Sequence, residues 1–487
     1  MIVPIRAQKP LPLGGIWGDD IHIWDIDLKV IDQILMDDEF IDIMWRAACR
    51  ARGKAVSRGR VAMALNRVLR TAVLKHFKNW SFRDLFKEMH RNLDYRAFSQ
   101  YFDSKIPDTS TLCRNIAKVD ALAVKELNEH LTQVAIKRRV IRGKVYRQDT
   151  TVCETNVHHP TDSSLLQDGV RVLQRLVQQA EKVLPAIGSI RDRSTAVARR
   201  AIEIARAARG RADKAREKRE TSYRKLLRIA RPVVTAATRT SSKLGDGRAT
   251  RHLSQIDHNA ATALKQELDT MVPRVEQVIR QTRARICRGI TDSPNKILSL
   301  FVPNTAVIRK GKLHKPTEFG NVIDIIEAEN GFVSDYQKLE GNPSDGELLI
   351  PGIKRHMVRF GRPPHTVATD AGFWSAKNEN DAYELKVKRV SIPYKGTLSA
   401  TRRRIQRSRW FRMAQRWRAN GEGRIGILKN VYGLDRCMYK DNDAMERWVG
   451  WCVFANNLTV VARALSRQRQ EHGDDNQTQK RGHKQAA

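Results

Sequence analysis

The stretch KVYRQDTTV, at residues 144–152, is rich in β-branched side chains that alternate with polar ones, and this pattern predicts a β-strand. The chain changes character on both sides of it. Residues 20–140 and 163–290 carry apolar side chains at three- and four-residue steps, which predicts helices. In the second block, breaks are predicted near Pro185, Gly210, Pro232 and the Gly245-Asp246-Gly247 turn. The first strand of a sheet therefore lies between two helical blocks, and the second block interrupts the sheet.

The rest of the predicted sheet lies between residues 300 and 400. Asn330-Gly331 is a strong hairpin signal between two strand-like segments, and a helix is predicted at residues 345–358. The order strand, hairpin, helix, strand, strand, helices predicts an α/β RNase H-like core with an N-terminal all-α domain and a long helical insertion. The strands after the insertion are predicted at residues 322–327, 332–339, 365–370 and 387–393.

This order divides the chain into parts with different predicted roles. The tail is polar, with almost no apolar content, and is predicted to be disordered. The parts are a helical DNA-binding domain (1–140), the RNase H-like catalytic domain (141–162 and 300–465), a basic helical insertion (163–299) and the disordered tail (466–487).

The charge of the chain indicates a polyanionic partner. Its 487 residues include 89 Lys and Arg against 53 Asp and Glu, a formal net charge of +36. Residues 191–231 alone hold fifteen basic against five acidic side chains. Because the excess runs through folded segments rather than one juxtamembrane cluster, nucleic acid fits better than a membrane surface. The six cysteines include no CxxC pair, which argues against a zinc ribbon.

The N-terminal helices suit a helix-turn-helix DNA reader. Ser81 and Asp84 resemble a helix-starting capping box, and a second short helix is predicted at residues 95–102. Pro107-Asp108-Thr109 caps a long helix predicted to continue through Ala135. Two short helices followed by a longer one favour major-groove recognition, while a helical bundle without DNA contact is the alternative.

Two acids are predicted at strand ends, Asp149 after VYRQ and Asp370 after TVAT. Carboxylates brought together at a sheet edge repel each other unless a divalent cation lies between them, and hard oxygen ligands suit Mg²⁺. Glu154 or Asp162 could take the place of Asp149. The adjacent His158-His159 pair is less suited to a metal, and no Walker A or GxGxxG pattern supports a nucleotide cofactor.

A late helix, WFRMAQRWRANGEGRIGILKNVYGL at residues 410–434, supplies a third acid. At 100° per residue, Gln415, Arg418, Glu422 and Lys429 fall within about 60° of one another. An ordinary Arg–Glu surface pair would also explain this face. Two glycines around Glu422 instead suggest that another backbone or a DNA strand approaches closely there, because glycine weakens a helix.

Several blocks resemble the DDE transposases of bacterial insertion sequences. YRQDTTVCETNVHHPTDSSLL (residues 146–166) is similar to their first-acid block, and DAGF (370–373) to their second. The late helix resembles their signature Tyr-x2-Arg-x3-Glu-x6-Lys, except that Gln415 replaces the tyrosine. Three further blocks resemble the same family: PDTSTL (107–112), RKGKLHKPTEFGN (309–321) and MERWVGWCVFANNL (445–458).

The resemblance implies catalysis by two Mg²⁺ (or Mn²⁺) ions, with Asp149 and Asp370 as shared ligands and Glu422 as ligand of the second ion. Arg418 and Lys429 would hold nearby phosphates, and Gln415 could donate to one.

The partners implied are transposon ends, target DNA and further copies of the chain in a homodimer or higher oligomer, with no membrane. The expected location is the bacterial cytoplasm, in association with the nucleoid. The alternative function is a non-catalytic DNA-binding protein derived from a transposase.

Overall fold

The structure is a computed structural model, mostly helical with one mixed sheet. Two compact units make up the chain: residues 1–156 with 308–487, and residues 157–307. The structure describes residues 25–52, 63–101, 104–210, 213–291, 295–303, 305–308, 317–341, 343–440 and 443–485. The RKGKLHKP part of one quoted block, residues 309–316, lies outside these ranges.

The first unit begins with helices whose ends follow local capping signals. The Ser81 side chain caps the helix that begins at Phe82 by accepting a hydrogen bond from the Asp84 amide, as predicted. Asp108 caps the helix that begins at Thr109, also as predicted. The single long helix predicted through residue 135 is wrong, because Asp120 caps a new helix through the Ala123 amide. The helices are α1 (Ile26–Ile34), α2 (Asp38–Arg52), α3 (Leu65–Phe77), α4 (Phe82–Arg91), α5 (Leu93–Phe98), α6 (Thr109–Ala117) and α7 (Ala121–Lys137).

These helices share one hydrophobic core with the last helix, α17 (Ala444–Gln485). Trp451, Phe454 and Leu458 of α17 are buried among side chains of α1 to α7. The N-terminal region therefore packs on the C-terminal helix within the same compact unit.

The tail predicted to be disordered continues α17, which extends to Gln485. Arg469 donates to the Gln33 side chain at 3.0 Å, so the helix still contacts α1 at that point. Gln, Arg and Lys are good helix formers, which allows the helix to continue without an apolar face.

The second unit is a helical bundle with its own apolar core. A helix break predicted near Pro232 is wrong, because Pro232 lies inside α10. Proline removes one backbone hydrogen bond, but the buried side chains of α10 on both sides of it keep the helix packed. The helices are α8 (Asp162–Val183), α9 (Ser194–Ala207), α10 (Asp213–Gly245), α11 (Gly247–Thr250) and α12 (Gln255–Arg288).

The sheet has the strand order β4-β3-β1-β5-β6, with β7 beside the end of β1. β3 runs antiparallel to both β1 and β4, whereas β1, β5 and β6 are parallel. The predicted hairpin between β3 and β4 is confirmed, and Asn330 and Gly331 adopt positive φ in its turn. The strands are β1 (Val145–Thr155), β2 (Ala306–Ile308), β3 (Glu318–Glu327), β4 (Val333–Lys338), β5 (Thr366–Ala368), β6 (Arg389–Ser391) and β7 (Arg436–Cys437).

Helices cover both faces of this sheet. Tyr146 of β1 is buried with side chains of α13 (Asp345–Phe360) and α14 (Ala376–Glu384). On the other face, Cys153 of β1 is buried with side chains of α16 (Arg409–Asn430) and α17. The short helix α15 (Ala400–Arg407) precedes α16.

Candidate active site

Asp149 lies on β1, and Asp370 comes two residues after the end of β5, the parallel strand beside β1. β1 and β5 pair in a register that places Arg147 beside Ala368. If this register continued two residues past the end of β5, Asp370 would lie beside Asp149. Side chains at matching positions of parallel strands project from the same face of a sheet, so the two carboxylates would then share a face.

The two acids reach these positions in different ways. Asp149 was predicted at a strand end, but β1 continues to Thr155, so this prediction is wrong. β1 is longer than its sequence suggests because β3 pairs with it as far as Glu154. Asp370 does follow its strand, in extended backbone, and caps a 3-10 turn by accepting the Gly372 amide at 2.7 Å. Both backbones are therefore fixed by hydrogen bonding.

A further acid, Asp345, lies beside Asp370, and the sequence did not single it out. A Cβ atom placed on Gly372 would be 2.8 Å from Asp370 Oδ1 and 2.9 Å from Asp345 Oδ2, so the two oxygens converge on this glycine. Asp345 Oδ1 also accepts a hydrogen bond from the Thr150 hydroxyl at 3.0 Å. In the sequence, an acid in the first turn of a helix is ordinary and carries no signal of this convergence.

Gln415 ties α16 to Thr369, which directly precedes the second acid, and to Ser391 at the end of β6. Its Nε2 donates to the carbonyl oxygen of Ser391 at 2.7 Å and, more weakly, to that of Thr369 at 3.3 Å. Its Oε1 accepts from Arg418 Nε at 3.1 Å. Gln415 is thus engaged within the protein and holds Arg418, while the phosphate contact predicted for it stays a prediction.

The third predicted acid, Glu422, lies in α16, which packs against β5, β6 and β1. Its side chain lies outside the part that the structure describes. Lys429 is in the last turn of α16, and its Nζ lies 3.8 Å from Asp435 Oδ1. α16 therefore brings the signature positions to the sheet that carries the two aspartates.

The glycines around Glu422 have different surroundings. A Cβ atom on Gly421 would lie 2.5 Å from Nε of Arg147, whereas one on Gly423 would meet nothing within 4 Å. A close approach at Gly421 was predicted, but the approaching group is a side chain from β1 rather than a backbone or DNA.

The alternative ligands are engaged elsewhere. Glu154 Oε2 accepts from Arg436 at 3.0 Å, and His158 lies 3.7 Å from Asp168. Asp162 belongs to the second unit and pairs with Arg285 at 2.8 Å. Asp149 is engaged as well, since its Oδ1 accepts a hydrogen bond from the Thr150 amide at 2.8 Å, and its role as a ligand stays a prediction.

A buried acid lies on the face of the sheet covered by α13. Asp324 of β3 is fully buried, and burial raises its pKa to about 6 although Gln148 and Arg355 donate to it. Arg355 also donates to Asp335, so it bridges two acids on neighbouring strands. This network joins α13 to the hairpin, and the sequence gave no local signal for it.

The donor chemistry of Asp149 and Asp370 fits a magnesium ion. Mg²⁺ in phosphoryl-transfer sites takes one or two carboxylates and completes its shell with water and phosphate oxygens. Among the side chains that the structure describes, no three His, Cys, Asp or Glu residues are grouped closely enough to hold a metal alone.

Comparison with protein families gives one match, to residues 24–118. This region is similar to the family described as Transposase domain (DUF772), and it is called the transposase domain below. The transposase domain spans α1 to α6, including the helices capped by Ser81 and Asp108. It supports a role in transposition and, broadly, an enzyme that cuts DNA. No curated protein and no solved structure matches the chain.

The transposase domain lies in the same compact unit as Asp149 and Asp370. Throughout the described residues, no helix is long and apolar enough to cross a membrane.

Proposed function

We propose that the chain is a DDE transposase that cleaves and joins DNA by metal-dependent phosphoryl transfer. The observation that carries this proposal is the parallel pairing of β1, which holds Asp149, with β5, which ends two residues before Asp370. The transposase domain at residues 24–118 independently supports the reaction class. An insertion-sequence element is the proposed source.

The arrangement of the sheet supports an RNase H-like core. Along the chain, β1 is followed by the hairpin β3–β4, the helix α13 and the parallel strands β5 and β6. This is the element order from which such a core was predicted. The helical second unit, at residues 157–307, interrupts the core directly after β1.

In this proposal Asp149 and Asp370 hold two Mg²⁺ (or Mn²⁺) ions together with Glu422. Bound ions would polarise the reacting phosphate and stabilise the attacking and leaving oxygens. Arg418, oriented by Gln415, and Lys429 would hold phosphates flanking the reacting one. Catalysis by such a site is mainly positioning and charge stabilisation.

DNA would contact both units. The helices α4 and α5 are separated by Asn92 alone, which caps α5 by accepting from the Asp94 amide at 2.8 Å. This tight turn supports a helix-turn-helix reader of transposon ends. In the second unit, exposed basic side chains of α9 and α10 would give sequence-blind phosphate contacts with the ends or target DNA. We propose a homodimer or larger assembly, since two transposon ends are paired.

A nicking assay tests the proposal against its alternative, a non-catalytic DNA-binding protein derived from a transposase. Purified protein should cleave DNA that carries its element's ends in Mg²⁺ or Mn²⁺, whereas Ca²⁺ should support binding with little cleavage. Excess chelator should stop cleavage. Binding without cleavage in either metal would favour the alternative, and cleavage that persists in chelator would exclude a two-metal mechanism.

A further inference from the structure

Arg147 links β1 to α16 from a nearly buried position. It lies two residues before Asp149, so both side chains project from the same face of β1. Its Nη1 donates to the carbonyl oxygens of Trp417 at 2.5 Å and Arg418 at 3.4 Å, and its guanidinium lies 4.7 Å from the Trp417 ring centre. Arg147 therefore binds the backbone of α16 directly.

The two carbonyls that Arg147 contacts belong to the helical turn that ends at Glu422. In an α-helix the carbonyl of residue i accepts from the amide of residue i+4. The carbonyls of Trp417 and Arg418 are thus the helical partners of the Gly421 and Glu422 amides. Gly421 allows the approach, because a Cβ there would lie 2.5 Å from Arg147 Nε.

Glu327 of β3 holds the other side of the guanidinium. It is the register partner of Arg147 across β1 and β3, and the two side chains form a buried ion pair. A buried pair of this kind costs desolvation, so replacement of both charges by neutral groups is often tolerated, whereas removal of one charge is not. A double substitution that removes both charges therefore tests the position of α16 without the large loss of stability that a single substitution would cause.

We propose that Arg147 is a positioning residue that fixes the Glu422 turn of α16 over the face of β1 that carries Asp149. The proposal rests on the proposed function in so far as Glu422 is a metal ligand. Residues that orient a metal ligand typically change metal affinity or activity by about 10- to 100-fold when they are replaced. A residue that only fills the core would change stability without changing the metal response.

The test compares R147M/E327Q with a matched pair, R70M/D32N, in the full chain. Buried Arg70 and partly buried Asp32 form an ion pair between α3 and α1, with Arg70 Nη1 2.5 Å from Asp32 Oδ1. R147M/E327Q should fold, accelerate amide hydrogen exchange at residues 421 and 422 at least about tenfold, and raise the Mg²⁺ concentration for half-maximal cleavage about 10- to 100-fold. R70M/D32N should leave both quantities within twofold of wild type.

A second comparison uses the glycines of α16. Gly421→Ala should raise the Mg²⁺ requirement through its clash with Arg147, whereas Gly426→Ala should not, because a Cβ there meets nothing within 4 Å. The inference is overturned if R147M/E327Q or Gly421→Ala keeps wild-type exchange and metal response. If the wild type cleaves no DNA with either metal, the proposed function fails, and hydrogen exchange at residues 421 and 422 alone decides whether Arg147 fixes this turn.

Discussion

The hydroxyl of Thr150 donates a hydrogen bond, 3.0 Å long, to the carboxylate of Asp345. Thr150 directly follows Asp149 on β1, and Asp345 is the first residue of α13. The bond therefore joins the strand of the first acid to a helix on the face of the sheet opposite to the Asp149 side chain. The other oxygen of Asp345 approaches Gly372, next to Asp370. A helix outside the signature blocks thus contributes a carboxylate beside the proposed site.

Asp345→Asn should lower cleavage about 10- to 100-fold with little loss of DNA binding, as expected for a group that orients metal ligands. Glu347→Gln is the matched control, since Glu347 is an exposed acid in the same helical turn. Rates of nicking at saturating DNA would be compared at several Mg²⁺ concentrations. Equal rates for the two variants would show that Asp345 has no part in cleavage.

Asp149→Asn, Asp370→Asn and Glu422→Gln should each lower cleavage more than Asp345→Asn does, because a lost ligand changes the metal site itself. DNA affinity, measured by anisotropy, should stay within a few-fold of wild type. Glu154→Gln serves as the control on β1. Near wild-type cleavage by Glu422→Gln would mean that another acid supplies the third ligand.

The exposed basic residues of the second unit should contribute a sequence-independent, salt-sensitive part of DNA binding. Replacement of Lys214, Arg216, Lys218, Arg224 and Arg228 with Gln should weaken binding to specific and random duplexes alike. Each lost phosphate contact should reduce the magnitude of the log–log salt slope by about 0.9. Anisotropy titrations at several salt concentrations measure this, and an unchanged slope would place the surface away from DNA.

Loss of the proton from Lys75 should increase the free energy of unfolding as the pH rises from about 8 to 10.5. Its ammonium group is buried beside the rings of Trp448, Phe82 and Tyr439, and burial lowers its pKa from 10.5 to about 8. Between these values the unfolded chain binds more protons, so the free energy of unfolding increases with pH. The shift corresponds to about 3 kcal/mol.

Lys75→Met removes this titration and should be more stable than the wild type at pH 7. Chemical denaturation of both proteins at several pH values tests the difference, because titrations common to both cancel. A constant difference in unfolding free energy from pH 7 to 10.5 would contradict the lowered pKa.

Signals contained within a few residues predicted the elements well. The caps at Ser81 and Asp108 and the hairpin at Asn330-Gly331 were found because side chain, turn and backbone conformation interact locally. The second cap at Asp120 was missed, since apolar spacing continues across the break. The break predicted near Pro232 was wrong for the opposite reason, because the packing of α10 overrides the local helix-breaking preference of proline.

By itself, the sequence determined the helical character of both blocks, the strand that carries Asp149 and the identity of the signature residues on α16. Only the tertiary structure decided that Asp345 approaches Asp370 and that Arg147 inserts beside Gly421. These contacts join residues far apart in the chain, and they depend on strand register and helix packing rather than on neighbouring residues. An ordinary first-turn acid and an ordinary strand arginine carry no local mark of the partners that folding gives them.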